Sequence, residues 1–122
     1  MRKPILIVED DPDISWNMKT FLESEGFPVA TAKNGLAALA YLETNEVVPS
    51  LILLDLMMPE MDGWEFRRQQ LEHPRFREIP TVVVSAAGTL SRPIVADQFI
   101  RKPIDLELLL KTANGSYHDL VV

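Results

Sequence analysis

The 122-residue chain contains no cysteine. That absence excludes disulfides, cysteine-based zinc sites and thiol catalysis, and it fits a reducing compartment. Basic residues are in the minority, 12 Lys and Arg against 18 Asp and Glu, giving a formal net charge of -6 and a pI near 4.8. Proteins that grip a phosphate backbone carry a clustered basic face, so direct nucleic-acid binding is not expected. No apolar run is long enough to span a membrane, and Met1-Arg2-Lys3 leads into only a few apolar residues before three acids, unlike a secretory leader. Repeats, linkers and low-complexity stretches are also missing. One domain with its own hydrophobic core, located in the cytoplasm, is the expectation.

What the chain does have is an alternation of strand and helix signals. Ile5-Leu6-Ile7-Val8 reads as a buried strand, and Asp11-Pro12 then reads as an N-cap followed by proline at the first helical position. Ile14, Met18, Phe21 and Leu22 share a helical face that Gly26 ends. Residues 27–31 form a second strand carrying Pro28, which a central strand would not tolerate, so this strand belongs at a sheet edge. Asn34-Gly35 opens a second helix, Leu51-Ile52-Leu53-Leu54 is a central strand, and a third helix spans residues 63–72. Residues 82–84 and 98–101 read as the fourth and fifth strands. A last helix starts at Asp105 and buries Leu106, Leu109 and Leu110.

Near-continuous apolar strands separated by amphipathic helices indicate an α/β fold with a parallel sheet covered on both faces. Right-handed crossovers and an edge position for the second strand predict the doubly wound five-stranded order 2-1-3-4-5, whose ligand site lies outside the carboxyl ends of strands one and three. Glu9-Asp10 and Asp55 stand at those ends. Three carboxylates brought together repel, so they recruit a cation or raise a pKa. Magnesium suits them, since it takes oxygen ligands and is held by one or two carboxylates plus a phosphate. Asp10 and Asp55 are assigned as direct ligands, Glu9 as a ligand through water, and the Met57 backbone carbonyl as a neutral ligand. Asp55 doubles as a nucleophile toward a phosphoryl group, with Ser85 and Lys102 clamping its oxygens. No residue in this set is a strong general base, so an aspartyl phosphate should persist.

In those residues the chain resembles the response-regulator receiver domains of two-component signalling, from Ile5 to about Ala113. Glu9-Asp10 matches the acidic pair, Asp55 with Met58-Pro59 and Asp62-Gly63 the phosphoacceptor loop, Ser85-Ala86 the switch hydroxyl, and Lys102-Pro103 the lysine and proline. The resemblance implies a flavodoxin-like fold and a phosphorylation-activated switch rather than an enzyme. It also implies a histidine kinase or phosphotransfer protein as donor, Ser85 and Phe99 as switch residues, and a cis Lys102-Pro103 bond aiming Lys102 at Asp55. The receiver would occupy residues 1–115, with residues 116–122 a short tail and no output domain in this sequence, so it would control either a separate downstream effector protein or an output domain fused in a longer chain, as a monomer or weak dimer away from membranes.

Two other classes compete. A magnesium-dependent phosphatase of the haloacid-dehalogenase type also uses a strand-end aspartate, but needs a second acid two residues on, where this chain has Met57. A receiver-like interaction module that takes no phosphate would be expected to lack one of Asp10, Asp55 and Lys102. Plainer roles also fit some of these residues: Ser85 bonding its own backbone, Phe99 as core, Trp64 covering the start of the third helix, and Arg67-Arg68 with Arg75-Phe76-Arg77 as a solvated face. His73 and His118 are not nominated for chemistry. The interval from Ala86 to Gln98 is only thirteen residues and contains Gly88 and Pro93. It is too short for two loops and a full helix, so the helix between the fourth and fifth strands is expected to be shortened or absent.

Overall fold

A computed structural model describes residues 3–86 and 92–115. The element order is β1 (Ile5–Val8), α1 (Pro12–Ser24), β2 (Val29–Ala32), α2 (Gly35–Thr44), β3 (Leu51–Leu54), α3 (Gly63–Glu72), β4 (Thr81–Ser85), β5 (Gln98–Arg101) and α4 (Leu106–Ala113). The five strands pair in parallel in the order β2-β1-β3-β4-β5, which is the doubly wound arrangement.

Alternation explains why the strands need continuous apolar runs. On β1 and β3, Ile5, Ile7, Leu51 and Leu53 enter one core with Met18 and Leu22 of α1 and Leu109 of α4. Leu6, Val8, Ile52 and Leu54 point the other way, into a second core with Ala38, Leu42 and Phe66 of α2 and α3. β1 and β3 each serve two cores, so a polar residue in either has nowhere wet to point.

Local chemistry sets the helix ends. Asp11 caps α1 by accepting from Asp13 N and Ile14 N, Asn34 caps α2 through Ala37 N, Asp62 caps α3 through Glu65 N, and Asp105 caps α4 through Glu107 N and Leu108 N. Gly26 follows α1 at a φ of 91°. Its N–H donates to Glu23 O and that of Phe27 to Leu22 O, the paired bonds of a Schellman end, while Phe27 and Leu22 share the first core.

Several expectations need correcting. The second strand starts at Val29, not Phe27, because Phe27 is taken up by the α1 cap and the core. The fourth strand is longer than expected, reaching from Thr81 to Ser85. Leu106 is 46% exposed: in the first turn of α4 it faces the α1 groove, not the core, and Leu110 is only half-buried. Between β4 and β5, residues 92–97 contain no helix; residues 87–91, where a short turn was allowed for, lie outside the described residues, as do His118 and residues 116–122.

The largest correction concerns the basic stretch from Arg67 to Arg77, which is solvated at Arg68, Arg75 and Arg77 but not at Arg67 or Phe76. Arg67 is 6% exposed and Phe76 is fully buried, while Arg68 and Arg77 stay in solvent. The Arg67 guanidinium donates to Val95 O at 2.7 Å, Gln70 Oε1 at 2.9 Å and Thr81 Oγ1 at 3.0 Å. Gln70 in turn donates to Phe76 O, Ile79 O and Thr81 Oγ1. Burial lowers the Arg67 pKa and the Asp97 charge works against that, yet a guanidinium stays charged. Removing it strands several acceptors together. Arg67→Ala is expected to lose about 2–4 kcal/mol in urea unfolding, with Arg67→Met recovering part through packing. A loss below about 0.5 kcal/mol would show that the network adds nothing.

Candidate functional site

The site is assembled at the carboxyl ends of β1, β3, β4 and β5. Glu9 follows β1, and its N–H donates to Ala32 O at 3.0 Å, continuing the ladder by one residue. This turns the Glu9 side chain inward, where it is 3% exposed, while Asp10 beside it is exposed. Glu9 Oε2 accepts from Asp11 N at 3.1 Å. Asp55 is fixed in the same way across the β1–β3 seam, with its N–H on Val8 O at 2.9 Å and its Oδ1 accepting from Leu56 N at 2.9 Å.

The loop after Asp55 closes back against it. Gly63 N donates to Leu56 O at 2.9 Å, and a Cβ built on Gly63 would sit 2.4 Å from Asp55 O and 2.8 Å from Leu56 Cα. Only glycine permits that approach. Gly35 meets the same loop more softly, through its N–H on Met61 O and the Met61 side chain. Met58 and Met61 pack on the second core, whereas the Met57 side chain is exposed.

Ligand oxygens of Glu9, Asp10 and Asp55 all lie within 4.8 Å of one another. Lys102, delivered by β5 and anchored by its N–H on Ser85 O at 2.8 Å, reaches into this cluster. Its Nζ lies 2.8 Å from Glu9 Oε1 and 3.5 Å from Asp55 Oδ1, so its nearer partner is Glu9 rather than the Asp55 that was expected. That ammonium offsets the charge of the buried Glu9 oxygen. The Lys102-Pro103 bond is cis, as the resemblance implies.

Burial, then the Glu9 charge, push the Asp55 carboxyl up from 3.8 to about 7, against the pull of Lys102 and with further upward contributions from hydrogen bonds with Asp10 and Glu9. Burial alone would lower the Lys102 ammonium; the Glu9 bond and the Asp55 and Glu9 charges outweigh it, and the net direction is upward. Three carboxylates with oxygens within 4.8 Å of one another and a disfavoured ionised Asp55 describe a donor set that fits a hard divalent cation.

Ser85 is buried at the end of β4, and Phe99 on β5 is 46% exposed, which removes the reading of Phe99 as core. Trp64 stands at the start of α3 as expected and donates Nε1–H to Arg92 O at 3.2 Å. Sequence reading missed this contact and the Arg67 network. The second was detectable: Gly63, Phe66, Arg67 and Gln70 recur at helical spacing and are the buried residues of α3.

Comparison with known proteins agrees with this geometry. The response regulator receiver domain family matches residues 5–114. The chain belongs to that family. This receiver domain is 34% identical over 111 residues to the DNA-binding dual master transcriptional regulator RpaA of Synechocystis, covering 87% of this chain and 45% of RpaA. It is 30% identical over 116 residues to the protein PilH of Pseudomonas aeruginosa, covering 91% of this chain and 94% of PilH. Among solved structures it is similar to the signal receiver domain of a signal transduction histidine kinase from Syntrophus aciditrophicus, at a TM-score of 0.80 and 32% identity, covering 98% of this chain and 92% of the other. The receiver domain spans about half the length of the first curated relatives it matches, 48% and 45%. Its fold is the CheY-like receiver fold, and the family to which it belongs consists of receiver domains that act as switches in two-component signalling.

Proposed function

We propose that this receiver domain accepts a phosphoryl group on Asp55 from the phosphohistidine of a sensor kinase or phosphotransfer protein, with Mg2+ held by Asp10, Asp55, the Met57 carbonyl and, through water, Glu9. The observation that carries this reading is the convergence of Asp55, Glu9 and Asp10 within 4.8 Å, with the Lys102 ammonium inside the cluster. Bound magnesium would supply positive charge to the transferring phosphoryl oxygens. Asp55 is the nucleophile: its oxygen forms a bond to phosphorus as the phosphorus–nitrogen bond breaks, and the electron pair leaves with the imidazole, which takes up a proton.

Lys102 neutralises the added negative charge, Ser85 binds a phosphoryl oxygen, and Ser85 and Phe99 carry the switch. The exposed Phe99 ring supports this role, since a half-solvated aromatic gains by moving into cover. A dehalogenase-type phosphatase is disfavoured because Met57 offers no acid to activate water. The chain is read as a receiver over residues 1–115 that acts in the cytoplasm as a monomer or weak dimer. Among the described residues no helix is long and apolar enough to cross a membrane. The -6 charge gives this domain no phosphate-backbone footprint, although RpaA, about twice as long, is named a DNA-binding protein.

Incubation with Mg2+ and acetyl phosphate, followed by borohydride trapping and mass spectrometry, is expected to modify Asp55 alone. Modification of Asp10 or Glu9 instead, or of no residue, would overturn the reading.

A further inference from the structure

The segment between β4 and β5 is tied to α3 by side chains, and the ties differ in strength. At one end Arg67 Nε donates to Val95 O from a buried position, while Asp97 N donates to Thr81 O at 2.9 Å and Asp97 Oδ2 accepts from Thr81 N at 2.7 Å. At the other end the tie is Arg92. Its carbonyl accepts from Trp64 Nε1, its guanidinium lies 4.7 Å from the centroid of the Trp64 ring, and its Nη2 is 3.4 Å from Asp62 Oδ2. Both members of that ion pair are solvated, so the Arg92 hold is weak and screened by salt, whereas the Arg67 anchor is protected.

Asp62 and Trp64, which hold Arg92, flank Gly63. The Gly63 backbone touches Asp55 O so closely that no carbon fits between them, and its N–H is bonded to Leu56 O. A shift of the Asp55 peptide therefore carries Gly63 with it, and Gly63 carries both holders of Arg92. Stacking and an N–H···O bond depend on geometry, so this displacement degrades the solvated Arg92 contacts first, while the Arg67 bonds one helical turn on are buried and charge-assisted.

We propose that Arg92 forms a clasp on α3 that is closed around the unmodified acceptor and opens when Asp55 carries a phosphoryl group, releasing the Arg92 end of residues 92–97 while Arg67 retains the other. This rests on the reading of Asp55 as acceptor, because it names how that site's state leaves the site. Coupling of this kind is reciprocal: a chain with the clasp removed binds a phosphoryl mimic more tightly.

Trp64 is its own reporter once the other tryptophan, the exposed Trp16, is replaced. In Trp16→Phe with Mg2+, beryllofluoride is expected to raise acrylamide quenching of Trp64 about twofold, as a minor open state becomes the major one. Arg92→Gln in the same background should show the higher quenching before beryllofluoride and no further rise after it. Parallel mapping of acetyl phosphate labelling separates the two ideas. Labelled Asp55 with unchanged Trp64 quenching overturns the clasp alone, and unlabelled Asp55 overturns the acceptor reading and the clasp with it.

Discussion

Asp55→Asn is expected to lose all acid-labile, hydroxylamine-sensitive labelling by acetyl phosphate and, in the absence of metal, to be more stable than the parent. The first result follows from removing the nucleophile. The second follows from linkage. With a carboxyl pKa of about 7 in the folded chain against 3.8 for the free group, the native state holds a proton between those values that the unfolded chain has released. Stability falls as pH rises through that window and levels off above it, by on the order of 4 kcal/mol for a shift of this size. Asparagine does not titrate, so the fall in stability between pH 5 and pH 8 should vanish in urea melts of the variant, and Asp55→Asn should exceed the parent by more at pH 8 than at pH 5. Mg2+ favours the ionised carboxylate, so it should stabilise the parent more at pH 8 than at pH 5. Equal pH dependence in the two proteins would place the titrating group elsewhere.

Gly63→Ala is expected to damage both the fold and the site. The new methyl would meet Asp55 O at 2.4 Å and Leu56 Cα at 2.8 Å, and backbone cannot step aside as a side chain can. A cost of about 3 kcal/mol or more is expected in urea unfolding, with acetyl phosphate labelling slowed by roughly 100-fold because Asp55 is displaced. Gly35→Ala is the control. Its nearest atoms belong to the Met61 side chain, at 2.7 Å to Cγ, and that chain can rotate away. Equal losses in the two variants would mean that general crowding of the loop, rather than the Asp55–Gly63 backbone contact, is responsible.

What was legible in the sequence was governed by local rules. The third helix starts at Gly63 because Asp62 caps it, and the first starts at Pro12 because Asp11 does, so composition within four residues was enough. The acids at the strand ends were legible for a related reason: a run such as Leu51-Ile52-Leu53-Leu54, buried on both sides, admits a carboxylate only where it ends. What escaped depends on partners remote in sequence. Arg67 is read as a surface cation from its neighbours Arg68 and Gln69, and its burial makes sense only once Thr81, 14 residues on, and Val95, 28 residues on, supply acceptors. Leu106 is misplaced because its periodicity fits the core face, while in the fold it lines an open groove beside α1. Lys102 was aimed at the right cluster but not at its nearest oxygen, since the Glu9 approach depends on how far β1 extends beyond Val8.

The crowding of Glu9, Asp10 and Asp55 bears on how this domain responds to selection. The ionised acceptor works against the folded state that presents it, so evolutionary pressure for robustness and pressure for signalling act in opposite directions at residue 55. A library sorted only for thermal tolerance, in chelator at alkaline pH, would enrich neutral replacements at this position and discard the working chain. Engineering this receiver for durability must therefore sort in the presence of Mg2+, or confine substitutions to elements that do not face the cluster.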